Sequence, residues 1–140
     1  TSLQMSPMLI LIMILLAYAL LGMFMDAIGM LLLTLPVVYP AIIALNGGDG
    51  VSAADSAFGV SHVGVSIWFG IIIVKMAELC LITPPIGLNC FVVAGVRPEC
   101  SVQDVFRGVI PFFIADALTI AALVAMPGIV LWLPGKMGFA

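Results

Sequence analysis

Charge is what this sequence has least of. Only 8% of its 140 residues are charged, and four basic residues against seven acids leave a formal net charge of −3. A surface so poor in cations has no electrostatic footprint for a phosphate backbone, so nucleic acid is not an expected partner. Histidine occurs once, at His62 in a polar stretch, which gives a histidine-based metal centre little support. The cysteines Cys80, Cys90 and Cys100 are odd in number and regularly spaced, and the spacing matches no metal-ligand motif. Cys80 and Cys90 read as small apolar fillers. There is no glycine-rich phosphate loop with its lysine, so the chain has no visible means of using ATP itself. No basic leader with a cleavage site is visible and residue 1 is threonine. The chain therefore reads as a piece of a longer protein.

What the sequence has in abundance is apolar surface: 64% of residues are hydrophobic and the mean hydropathy is +1.37. Soluble domains do not have this composition. At about 20 residues per bilayer crossing, the length allows roughly four membrane-embedded elements and no separate soluble domain. An all-α integral membrane protein is expected.

The first 45 residues hold two uncharged runs, Met8 to Met25 and Ala27 to Leu45, separated only by the neighbourhood of Asp26. Gly22 and Gly29 flank the acid and favour a tight, closely packed turn. The two runs are expected to form a re-entrant helical hairpin over 6–45, with Gly22 to Asp26 as its tip. Residues 46–62 then change character, carrying Asp49 and Asp55 among Gly, Ser and Asn, and read as a polar surface loop.

A discontinuous transmembrane helix is expected over 63–96. At Leu81-Ile82-Thr83-Pro84-Pro85-Ile86-Gly87-Leu88-Asn89 two adjacent prolines lack backbone donors and clash with the carbonyls four residues back. Thr83 is pushed out of the α region as well. Inside a bilayer each unpaired peptide group costs several kcal/mol, so such a break needs a partner. The stump ending near Leu81 offers carbonyl oxygens suited to a cation, and the one starting near Ile86 offers N–H groups suited to a carboxylate. Thr83 adds a hydroxyl, Asn89 an amide, and Gly87 room for close backbone approach. Broken helices of this kind build ion and substrate sites in secondary transporters. The bland alternative is a proline-kinked helix healed by its neighbours.

Lys75 and Glu78, three apart on the first half of that helix, can form an ion pair, and a structural role facing other helices is favoured over direct ligation. Ser101 to Asp104 resembles a capping box opening an amphipathic interfacial helix over 101–107, with Val102, Val105 and Phe106 on one face. A final transmembrane span is expected over 109–133, with Asp116 as its one acid and Trp132 near its end. Arg97 and Arg107 place the segment between the broken helix and the last span on the cytoplasmic side, and the acidic 46–61 loop on the far side; Lys136 argues mildly the other way.

Taken in order, Gly22-Met23-Phe24-Met25-Asp26, Leu35-Pro36-Val37-Val38-Tyr39-Pro40, Ile67-Trp68-Phe69-Gly70, Glu78, Thr83 to Asn89 and Leu131-Trp132-Leu133-Pro134 resemble the C-terminal part of the large membrane subunit of tripartite ATP-independent periplasmic (TRAP) transporters. The resemblance implies a bacterial inner-membrane, multi-pass permease, not an enzyme. It would import small carboxylates of the C4-dicarboxylate or sialic-acid type with sodium as coupling ion and no other cofactor. Its partners would be a small membrane subunit and a periplasmic solute-binding protein. The segment would be the second half of an inverted-repeat elevator. Carried over by motif, substrate and ion contacts fall on Gly22, Asp26, Thr83, Pro84, Pro85, Gly87 and Asn89, with sodium held by backbone near Gly22, Phe24 and Thr83. The stretch from Leu45 to Ile67 is longer than the family pattern leads one to expect, and the first repeat is absent.

Two other readings stand beside this one. Asp26 and Asp116 could be the paired carboxylates of an intramembrane aspartyl protease, although Asn46-Gly47-Gly48-Asp49 departs from the glycine-aspartate motif expected there. A merely structural membrane segment would tolerate apolar replacement of Thr83 and Asn89. Asp26 itself has a second role open to it, as N-cap of the helix starting at Ala27.

Overall fold

A computed structural model describes residues 5–83, 87–97 and 99–138, and the regular structure among them is entirely α-helical. In chain order the helices are α1 (Pro7–Gly22), α2 (Ala27–Asn46), α3 (His62–Ile82), α4 (Leu88–Val96), α5 (Val102–Ala125) and α6 (Pro127–Lys136). Three of them, α2, α3 and α5, are long and apolar enough to cross a membrane.

The helix starts follow from short polar side chains that take up otherwise unpaired N–H groups. Ser6 accepts from Leu9 N ahead of Pro7, Ser61 from Gly64 N, and the Asp26 carboxylate from both Ile28 N and Gly29 N. Ser101 and Asp104 form the reciprocal capping box of α5. At the other end of α2, Gly47 adopts φ 122°, a region that side chains avoid, and turns the chain out of the helix.

α3 is the hub and touches each of the other five helices. Val65, Trp68, Phe69, Ile72, Ile73, Met76, Leu79 and Cys80 are all buried, so apolar positions recur every three to four residues. By contrast α2 and α5 present Ile28, Leu32, Leu33 and Val37, and Ile110, Phe112, Ile114 and Leu118, outward. Such unbroken apolar faces suit lipid or further membrane helices rather than water. α1 and α2 double back on each other across Met23 to Asp26. Thr34 Oγ1 on α2 lies 2.6 Å from the Tyr18 hydroxyl on α1 and 2.7 Å from the Met30 carbonyl, so the buried tyrosine hydroxyl finds its partner on a half-buried threonine.

The 46–62 loop is held at its root by a fully buried asparagine. Asn46 Nδ2 donates to the Val60 carbonyl at 3.0 Å, Oδ1 accepts from Phe58 N at 3.3 Å, and the Asn46 carbonyl accepts from Ala57 N at 3.1 Å. These bonds draw Phe58 and Val60 into the core, where the Phe58 ring stands 5.4 Å from that of Trp68. Asp49 and Asp55 remain exposed.

The last third differs from the expected division into an interfacial helix over 101–107 and one span over 109–133. α5 runs unbroken through residue 108 and through Pro111, and stops at Ala125. A proline inside a helix removes one hydrogen bond and its neighbours can absorb the kink. The chain breaks instead at Met126, whose φ −131° and ψ 74° lie outside the α region that a following proline disfavours. Pro127 then occupies the first turn of α6, where its missing N–H costs nothing. Trp132 lies on α6 and is exposed.

Candidate functional site: the hairpin tip against the end of α3

α3 ends at Ile82 and α4 begins at Leu88, with Thr83 and Gly87 outside either helix. Pro84 and Pro85, the residues expected to cause the interruption, lie outside the described residues. Thr83 is extended, at φ −81° and ψ 127°, and closes the end of α3 twice. Its N–H donates to the Cys80 carbonyl at 3.3 Å and its hydroxyl to the Leu79 carbonyl at 2.6 Å. A hydroxyl that donates inward in this way keeps its lone pairs turned outward, available to an ion or a donor. Across the interruption, Gly87 N donates to the Thr83 carbonyl at 2.9 Å.

The hairpin tip sits against this end of α3. Gly22, Met23, Phe24, Met25 and Asp26 together with Cys80 and Leu81 line a cavity of about 110 Å³. The contact is close because residue 22 is glycine: a Cβ there would overlap the Cys80 Sγ and Cβ. Cys80 Sγ lies 3.6 Å from the Tyr18 carbonyl and 3.8 Å from that of Ala19, a weak donor placed on the last turn of α1. Asp26 is exposed and uses Oδ2 for both of its capping bonds, at 3.1 Å and 3.3 Å. Asp26 therefore caps α2 and also lines the cavity.

Of the positions expected to share one gap, Gly22, Phe24 and Asp26 are gathered around a single cavity, with Thr83 just beyond Leu81. Asn89 is elsewhere. It is exposed and lines a second cavity of about 460 Å³ with Glu78, Leu81, Ile82, Phe112, Ala115, Asp116 and Thr119. Leu81 borders both cavities, so the end of α3 is the wall between them. Gly87 is buried beneath Phe106 of α5: a Cβ on it would stand 2.9 Å from the Phe106 ring and 3.2 Å from the Thr83 carbonyl. The same ring meets Phe91 edge-on at 6.0 Å.

Lys75 is shared between Glu78, at 2.6 Å, and Asp116 of α5, at 2.5 Å. The expected pair on α3 is thus part of a three-residue bridge between helices. Asp26 and Asp116 line different cavities and have different partners, so neither is placed to share a proton with the other. Among the described residues no three His, Cys, Asp or Glu side chains are grouped as a metal site.

Sequence reasoning singled out neither Phe106 nor Cys80 for the site. Phe106 looked like one apolar residue of an interfacial helix, and its contact with Gly87 joins parts of the chain nineteen residues apart. Cys80 looked like filler; the only hint of more was its place one turn before the twin prolines.

Apolar helices of spanning length, packed with the others around α3, mark an integral membrane protein. The sequence model for the DctM component of tripartite ATP-independent periplasmic transporters matches residues 1–129, and the chain belongs to that family. Its relatives include the sialic acid TRAP transporter permease protein SiaT of Haemophilus influenzae, 31% identical over 94% of this chain and 18% of the relative. The C4-dicarboxylate TRAP transporter large permease protein DctM of Vibrio cholerae is 32% identical over 81% of this chain and 21% of the relative. The 2,3-diketo-L-gulonate TRAP transporter large permease protein YiaN of Escherichia coli is 28% identical over 90% of this chain and 25% of the relative. The chain thus spans between about a fifth and a quarter of the length of these relatives. No solved structure matches it.

Proposed function

We propose that this segment supplies one side of the transport site of a TRAP large permease that imports small carboxylates by sodium symport. The observation that carries the reading is the seating of the Gly22 to Asp26 tip on the Cys80 and Leu81 end of α3. A helix C-terminus presents carbonyl oxygens and the negative end of its dipole, which favours a cation. The Thr83 hydroxyl, with its hydrogen committed to Leu79, adds an oxygen beside them. Sodium held there by main-chain oxygens would offset the acid at the tip and attract an anionic solute. The substrates named for two relatives, sialic acid and C4-dicarboxylates, are both carboxylates, which supports the substrate class.

The hairpin is read as re-entrant. Its first arm supports this: α1 has 16 residues and reaches about 24 Å, short of the ~30 Å hydrocarbon core, whereas the second arm, α2, has spanning length. The remaining site would come from the rest of the permease, related to this half by an inverted repeat and moving as an elevator. A small membrane subunit and a periplasmic binding protein complete the system in the bacterial inner membrane. The 46–62 loop faces the periplasm and the Arg97 to Arg107 segment the cytoplasm. A cysteine at Asp55 should be labelled by an impermeant reagent in intact cells; protection there would reverse the orientation.

The test is uptake by the full-length permease in proteoliposomes, with its membrane partner, its binding protein and a panel of carboxylates. Uptake should require an inward sodium gradient and fall sharply in the Asp26→Asn variant, which retains a capping side chain. Uptake indifferent to sodium would refute the coupling, and wild-type uptake by Asp26→Asn would remove the acid from the site.

A further inference from the structure

α3 and α5 are tied by two polar bridges set one heptad apart. The Trp68 indole Nε1 donates to the Leu123 carbonyl at 2.7 Å, and Lys75 Nζ lies 2.5 Å from Asp116 Oδ1. Trp68 and Lys75 are seven residues apart on α3, and Leu123 and Asp116 seven apart on α5 in the opposite sense. Two ties about 10 Å apart along both axes fix the sliding register of an antiparallel pair, which apolar packing alone specifies weakly. Both charged partners are largely covered, with side-chain exposures of 27% for Lys75 and 17% for Asp116. Directional charged pairs of this sort are best attested as register devices.

The register matters because of what hangs from it. Two turns beyond Lys75, α3 ends at the wall between the two cavities, and Phe106 of α5 covers Gly87 just past that end. Sliding α5 along α3 would move the Phe106 lid and the last carbonyls of α3 relative to each other.

We propose that Asp116 is a positioning residue: acting through the Lys75 ammonium, it sets the register of α5 on α3 and thereby the geometry of the carbonyl end of α3 beneath the hairpin tip. Asp116 touches neither solute nor ion in this role. The proposal rests on the transport reading above for its consequence, but not for its geometry.

The experiment uses the full-length permease with two readouts. The first is the distance between spin labels at Val63 on α3 and Ile110 on α5, both exposed, in a background whose native cysteines are replaced. The second is the half-saturating sodium concentration for uptake, measured apart from the maximal rate. Asp116→Asn should shift or broaden the distance and raise half-saturating sodium roughly three- to tenfold. Lys75→Arg should preserve both. The Lys75→Met/Asp116→Asn double variant should be no worse than either single, because one residue acts through the other. Where Asp116→Asn fails to insert, Lys75→Met/Asp116→Leu, which leaves no orphaned ammonium, carries the same readouts. Unchanged distance and sodium dependence in a folded Asp116 variant, or additive effects of the two substitutions, would overturn the proposal. If wild-type uptake proves independent of sodium, the coupling reading fails and the label distance alone decides the positioning role.

Discussion

Placing one methyl group at Gly22 tests the contact on which the site depends. A Cβ there would stand 2.5 Å from the Cys80 Cβ and closer still to its Sγ. Carbon atoms in contact settle at about 3.5–4.0 Å, so the tip must retreat from α3 by roughly 1 Å or more. Overpacking of this size costs about 1–3 kcal/mol, and the retreat opens the wall shared with Met23 to Asp26. Gly22→Ala should therefore lower both thermal stability in detergent and uptake per folded permease. The rescue is specific. Cys80→Ala removes only the sulfur and leaves the Cβ in the way, so Gly22→Ala/Cys80→Ala should stay impaired. Cys80→Gly removes both atoms, and Gly22→Ala/Cys80→Gly should recover most of the tip's seating, less the ~1 kcal/mol that glycine costs inside a helix. A Gly22→Ala protein as stable and active as wild type, or equal rescue by alanine and glycine at position 80, would show that the tip does not pack on α3 as described.

Further outcomes follow from other contacts. Asn46→Leu should destabilise the fold by about 1–3 kcal/mol for each of the Phe58 N–H and Val60 carbonyl left buried without a partner, and limited proteolysis should then cut between residues 47 and 61. Asp26→Ala removes the α2 cap and should cost about 0.5–2 kcal/mol, whereas Asp26→Asn should leave melting almost unchanged; equal melting losses would deny the capping role. Thr83→Ser keeps the hydroxyl bonded to Leu79 and should retain uptake, while Thr83→Val should lose it; a functional valine variant would exclude that oxygen from the site.

Much of this protein is legible in one dimension because lipid imposes simple rules. A backbone that must satisfy itself becomes helix, so apolar runs interrupted by an acid, a glycine-rich stretch and twin prolines mark where α1, α2 and α3 begin or end. Capping is local chemistry, and Asp26 and Ser101 announce their helices through neighbours two or three residues away. Proline was the less obedient signal. Pro36, Pro40 and Pro111 all sit inside helices, while Pro127 marks a break, since whether a kink is absorbed depends on what packs around it.

The sequence by itself determined the membrane character, the hairpin bend and the end of α3 before the twin prolines, each a matter of composition or of neighbouring residues. Only the tertiary structure decided that Asn89 faces Asp116 and Glu78 rather than the tip, that Phe106 covers Gly87, that Asn46 anchors its loop, and that Lys75 reaches α5. Those pairings depend on how helices rotate about their axes and slide past one another. Apolar helices with polar residues this sparse carry almost no mark of their rotation, so the choice falls to packing at a distance.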